Sequence, residues 1–190
     1  MPRSVKQNEE MRKATQTAVI NSAMTLFARN GYAHTSTRAI AKEANISTGL
    51  MYHYFSGKEA LLKAVFDNCM AVIDADLYGP CNETPQGRRI PDILHAIFDL
   101  LAEKAEFWSL FYMLRTQPSI MRVLGDDFRF RTAALRGCIE EELQYLNHSN
   151  PRIGAHLIYC FIEGTIQQYL LEPDNYPLEQ VVGEIVGQYE

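Results

Sequence analysis

The sequence predicts an all-α protein of roughly nine helices, with an amino-terminal three-helix helix-turn-helix domain ahead of a larger carboxy-terminal helical bundle. Three observations carry the all-α class. Apolar residues recur at helical spacing almost throughout. No stretch alternates apolar and polar residues over six positions. Prolines open or separate the periodic segments rather than interrupting them.

The elements follow in order. Val19, Ala23, Leu26 and Phe27 form an i, i+4, i+7, i+8 stripe, and Gly31 ends it as a C-cap residue. Ser36 precedes Thr37–Ala44 and offers its hydroxyl as an N-cap. Asn45 follows; asparagine enters the left-handed region readily, as a helix-ending turn requires. Ile46 plugs that turn, and Ser47 caps a helix of two turns, Thr48 to Tyr54. Ser56 and Glu59 then make a capping box that opens a long helix, striped by Leu62, Val65, Phe66, Cys69 and Ile73. Residues 79–90 are rich in Gly, Pro and polar groups and read as a loop. Pro91 opens a segment through Ala105, and Pro118 opens another to about Leu146. Pro151 starts a helix to Leu171, and Leu178 to Tyr189 forms the last.

The 190 residues carry 47% hydrophobic and 22% charged side chains, ordinary for a globular chain with a real core. No window approaches the apolar run needed to cross a bilayer. The polar start MPRSVKQNEEMRK has no apolar h-region, so a cytoplasmic location is expected. Four scattered cysteines (Cys69, Cys81, Cys138, Cys160) include no Cys-x-x-Cys pair, which argues against a zinc ribbon. Three of them sit in apolar helical stretches as core residues, and Cys81, in the loop, is the candidate reactive thiol.

The net charge of −5 conceals a division. Residues 1–63 hold nine Lys/Arg against four Asp/Glu, a balance of +5, and residues 64–190 hold nine against nineteen, a balance of −10. A basic module that touches a polyanion and an acidic one that does not would have this pattern.

Helix, tight turn and short helix is the helix-turn-helix arrangement, whose second helix enters the major groove of DNA. Met51 and Phe55 share a buried face with Ile46. Thr48, Gly49, Leu50, Tyr52, His53 and Tyr54 are left outward, where a solvated helix would carry Glu, Lys or Gln. With no acidic group among them, this surface suits phosphates and base edges.

The run from Thr35 to Leu62, TSTRAIAKEANISTGLMYHYFSGKEALL, resembles the signature of the TetR family of bacterial transcriptional regulators, and Leu26-Phe27 and Gly31-Tyr32 fit as well. The resemblance covers roughly residues 10–65. It implies a DNA-binding domain over residues 1–56 and a ligand-binding and dimerisation domain over 57–190. Thr37 and Arg38 resemble positions that touch phosphate or a groove edge, Thr48, Gly49, Leu50, Tyr52, His53 and Tyr54 match the recognition helix, and Lys58 matches a phosphate-contacting lysine. Leu50 stands where a small or hydroxylated residue is usual and suits contact with a thymine methyl. Asn45 replaces the usual glycine. Arg3, Lys6, Arg12 and Lys13 are either a basic arm on the DNA backbone or solvated charges.

In a family that senses small molecules, an apolar pocket with aromatic lining is expected. The segment from Glu106 to Gln117 is dense in aromatics. Candidate lining residues are Phe66, Phe98, Trp108, Phe111, Tyr112, Met121, Phe128 and Tyr159, with His95, Arg131, Glu163 or Gln167 as orienting groups; ordinary core packing is the competing reading of each. Ile153, Leu157, Phe161, Gly164 and Leu171, with Leu178, Val182, Ile185 and Tyr189, are the expected homodimer surface.

No catalytic motif is found. Gly49 to Lys58 has the wrong spacing for a phosphate loop, the five histidines lack metal-ligand spacing, and Glu140-Glu141-Glu142 reads as a solvated helix face. No cofactor or metal and no enzymatic activity are expected. The expected function is that of a ligand-responsive regulator, most simply a repressor released from a palindromic operator by a small molecule. A DNA-binding protein of this fold without an effector, or a helical enzyme or carrier, are the alternatives.

Overall fold

The computed structural model describes residues 5–189, including all side chains of that span except those of Val5, Asn8 and residues 75–83. Arg3 and the Cys81 thiol lie outside it. Nine helices are described: α1 (Val5–Asn30), α2 (Thr37–Glu43), α3 (Thr48–Tyr54), α4 (Lys58–Glu83), α5 (Arg89–Glu103), α6 (Ala105–Arg115), α7 (Pro118–Tyr145), α8 (Pro151–Leu171) and α9 (Leu178–Val186). The chain is all-α, with no strand among the described residues.

The chain packs as two compact units, residues 1–71 with 110–125, and residues 72–109 with 126–190. The first thus takes in more than residues 1–56: it includes the amino-terminal half of α4 and the segment around the α6–α7 connection. Its core is made by the expected stripes. Val19, Ala23 and Phe27 of α1 are fully buried, as are Ile40, Met51, Leu61 and Val65. Gly31 ends α1 with φ +84°, a value that favours glycine.

In the second unit α5 is the central element. Ile90, Ile93, Leu94, Ile97, Phe98, Leu100 and Leu101 are all buried, and α5 packs on α8 and α9. Each such side chain stabilises the fold by about 1.5–3 kcal/mol. α8 crosses close to the end of α7: a Cβ on Gly154 would stand 2.8 Å from Leu143 Cδ1.

Several expectations are corrected. The loop expected over 79–90 is only 84–88, because α4 runs to Glu83 and α5 begins at Arg89, before Pro91. The cause is a long-range cap. Gly87 N–H (2.7 Å) and Arg89 N–H (2.9 Å) both donate to Glu142 Oε1, so a carboxylate from α7 does what no local side chain does here. Glu142 is therefore fully buried, not part of a solvated face; Glu141 alone of the three is exposed. The second carboxylate oxygen of Glu142, Oε2, is buried with no hydrogen-bond partner among the described residues. The negative charge at the start of α5 is also favoured by the helix dipole.

Two smaller corrections concern the carboxy-terminal helices. Cys160 is exposed rather than core, because it lies on the outer face of α8. α9 stops at Val186, and Gly187 caps it.

Candidate nucleic-acid interface

The candidate interface is built by local capping. Ala39 N–H donates to Ser36 Oγ (3.1 Å) and starts α2. α2 ends where Asn45 adopts φ +53° and Ile46 N–H donates back to Ala41 O (2.9 Å), a Schellman turn closed by asparagine. Leu50 N–H donates to Ser47 Oγ (3.1 Å) and starts α3. α2 packs on both α1 and α3. Met51 is buried at the base of α3, so the remaining residues of its two turns face outward.

The outward face gathers the expected residues. Gly49, Leu50, Tyr52 and His53 are exposed, and Thr48 and Tyr54 are half-buried. Tyr52, a large ring 51% exposed, has its hydroxyl 3.1 Å from Thr37 Oγ1, which joins the start of α2 to the middle of α3. The Tyr54 ring meets His53 edge-on at 5.4 Å, and the Arg12 guanidinium lies 5.9 Å from the Tyr54 centroid. Arg12, Lys6 and Lys13, read as either a basic arm or solvated charges, are exposed on α1, and Lys13 pairs with Glu9 at 3.7 Å.

Arg38 opens a surface cleft of about 470 Å³ lined also by Ala41, Lys42, Asn45, Ile46, Ser47 and Thr48. Lys42 was not among the expected contacts. The signal that could have found it is its position one turn after Arg38, on the same face of α2.

Lys58 is not a free surface cation. Its Nζ lies 4.4 Å from the Tyr32 ring centroid and donates to Ala33 O (3.3 Å). Burial lowers its pKa from the ordinary lysine value. Tyr32 packs edge-on against Phe27 at 5.1 Å. Burial raises the Tyr32 pKa, and the negative charge of Glu59 adds to the effect.

The candidate ligand residues divide between the units. Phe66, Phe111, Tyr112 and Met121 belong to the first, where Phe66 and Phe111 are core and Tyr112 lies under Arg115. The others belong to the second. There Tyr159 donates to Glu163 Oε1 (2.6 Å) and meets Thr132 Oγ1 at 3.2 Å, so one expected lining residue and one expected orienting residue come together. Arg131 pairs with Asp74. Phe98, Trp108 and Phe128 are buried, and His95 and Gln167 are exposed.

Of the expected association surface, Ile153, Leu157, Gly164 and Leu171 are exposed on α8. Phe161 is half-buried and meets Phe98 edge-on at 6.0 Å; Leu178, Ile185 and Tyr189 are half-buried. Val182 is the exception: it is buried inside its own unit, because α9 turns that face onto α5.

These features define an all-α helix-turn-helix protein of the kind that presents a short helix to duplex DNA. A family model described as bacterial regulatory proteins, tetR family, matches residues 19–65. The chain is 43% identical over 51 residues to the HTH-type transcriptional regulator UidR of Escherichia coli strain K12, a match covering 27% of this chain and 26% of that protein. Over 200 aligned positions it is 24% identical to the HTH-type transcriptional regulator TtgR of Pseudomonas putida, covering 92% and 89%. The fold is shared with the transcriptional regulator FadR of Bacillus subtilis, solved in complex with stearoyl-CoA, at a TM-score of 0.70 and 20% identity over 91% of this chain and 96% of that one. The helix-turn-helix segment, residues 19–65, belongs to the TetR family.

Proposed function

We propose that the protein is a dimeric, ligand-responsive transcriptional regulator, a repressor that leaves its operator when a small molecule binds. Residues 1–56 read DNA and residues 57–190 bind the effector and the second subunit. The observation that carries this reading is the outward face of α3, which holds no carboxylate and presents Leu50, Tyr52 and His53 beside Arg38 and Lys42. Each subunit lays α3 in a major groove, and two half-sites then lie ~34 Å or a multiple apart. Tyr52 and Thr37 act at the groove edge, Leu50 meets a thymine methyl, and Arg38, Lys42 and Lys58 supply salt-sensitive phosphate affinity.

The exposed apolar side chains of α8, Ile153, Leu157 and Leu171, support association with a second copy. A stable interface there would bury at least ~1,200 Å². The effector is an apolar molecule with a polar handle, for which Tyr159 and Glu163 are the candidate orienting pair. FadR of Bacillus subtilis, which shares the fold, was solved with a ligand that has a long acyl chain. To shift operator occupancy from 1:99 to 99:1, an effector needs ~5 kcal/mol of differential affinity.

Selection from a random duplex pool, followed by anisotropy titration at several salt concentrations, tests the reading. A palindromic site bound by a dimer with a steep salt slope is expected. Weak binding that ignores sequence would refute it.

A further inference from the structure

The connection between α6 and α7 is two residues long, and the second of them, Gln117, reaches out of it. Its backbone belongs to both helix ends: its N–H donates to Leu114 O (3.1 Å), and its carbonyl accepts from Met121 N–H (3.0 Å). Its side chain is committed elsewhere. Nε2 donates to Phe27 O (2.8 Å), in the last turn of α1, and also to Met113 O (3.1 Å). Oε1 accepts from Tyr32 N–H (2.7 Å), just past Gly31.

A carbonyl in the last turn of a helix has no intrahelical donor, and an N–H beyond a left-handed glycine has no intrahelical acceptor. One amide, 85 positions away from Tyr32 in sequence, satisfies both. It thereby fixes the turn that carries Tyr32. The Tyr32 ring in turn lies against the Lys58 ammonium, and Ala33 O in the same turn accepts from it. One Lys58 N–H bond is used by Ala33, which leaves donors for a phosphate.

We infer that Gln117 is a positioning residue for DNA binding: its amide holds the α1–α2 turn, and through Tyr32 and Ala33 it holds the Lys58 ammonium ready for a phosphate. Movement of the α6–α7 connection therefore reaches a phosphate contact directly, by a route separate from the length of α4. The effect on DNA rests on the regulator reading above; the hold on Lys58 does not.

The test uses the full chain, labelled for NMR, with Lys58 assigned through Lys58→Arg. In the parent the Lys58 ε-methylene is expected upfield of other lysines from the Tyr32 ring current, and the Tyr32 amide is protected from exchange. Gln117→Leu, which loses donor and acceptor, should abolish both signatures while α5 amides stay protected. Gln117→Glu keeps the acceptor and should retain Tyr32 protection, and it decides the matter alone if the leucine variant does not fold. Unchanged Lys58 and Tyr32 signals in Gln117→Leu, or lost Tyr32 protection in a folded Gln117→Glu, would overturn the inference.

The DNA arm uses a duplex selected by the parent protein. Gln117→Leu should weaken binding about threefold to tenfold. Combined with Lys58→Ala, it should add nothing to the loss from Lys58→Ala alone. Additive losses would overturn the route through Lys58. A parent protein that selects no duplex would instead count against the regulator reading, and the NMR signatures would still decide the hold.

Discussion

Helices α3 and α5 differ in where their first turns are secured. α3 is started by a hydroxyl three residues away, Ser47, and buries Met51 in its middle. α5 is started by Glu142, 53 residues beyond Arg89, and buries apolar side chains along most of its length. A helix that must present a face to a partner has little burial to hold it, so its ends are specified locally. A helix that lies within a core gains its stability from packing and can take its cap from a distant element.

Leu94 gives the strongest separation of the two. Leu94→Ala removes a fully buried side chain of α5 and should cost about 2–5 kcal/mol in urea unfolding. Leu50→Ala, on the outward face of α3, should fall within ~0.5 kcal/mol of the parent. Equal losses would dissolve the distinction. Glu142→Ala comes next. It strips Gly87 and Arg89 of their shared acceptor and should cost about 2–3 kcal/mol, since bonds to a charged group are being lost. Glu142→Gln keeps an acceptor and should lose less. The reverse order would show that the charge, with one oxygen unpartnered, is a burden.

Affinity sharpens the other side. Tyr52→Ala and Arg38→Ala should each weaken binding to a selected duplex by about 1–3 kcal/mol with little change in unfolding. Only Arg38→Ala should also flatten the salt dependence, by a slope of about one.

The smallest effect is alkaline. Burial pushes the Cys69 thiol up to about 12, against an ordinary 9.0. The raised value means that the thiol contributes fully below pH 9.0, and that this contribution falls as pH rises towards 12. At one unit above 9.0 the loss is about 1 kcal/mol. Unfolding at pH 8 and pH 10 should show Cys69→Ala losing less between them than the parent.

Legibility in the sequence follows the same division. Ser36, Asn45, Ser47 and the stripe residues announce α1 to α3, because each cap and its recipient lie within a turn of one another. The start of α5 is not legible in this way, because Glu142 is indistinguishable, by local pattern, from Glu140 and Glu141 beside it. Asn147, with φ +55°, closes the end of α7 as Asn45 closes α2, with His148 N–H donating to Leu143 O (2.9 Å). Local pattern could have found that one. Gln117 had no signal at all, since an amide in a connection says nothing about which distant turn it will bridge. Val182 was assigned outward because periodicity gives a helix an apolar face and not the identity of what covers it.

Glu142 also orders events in time. The caps of α2 and α3 close across three residues, within the time of helix formation, well under a microsecond to about a microsecond. The cap of α5 waits for the meeting of segments 53 residues apart, whose closure entropy must be met before any bond forms. The helices of the reading head can flicker into shape in the earliest collapsed chain, and the first turn of α5 sets late. Glu142→Gln should therefore quicken unfolding and leave the refolding rate almost unchanged, a signature that stopped-flow kinetics would read directly.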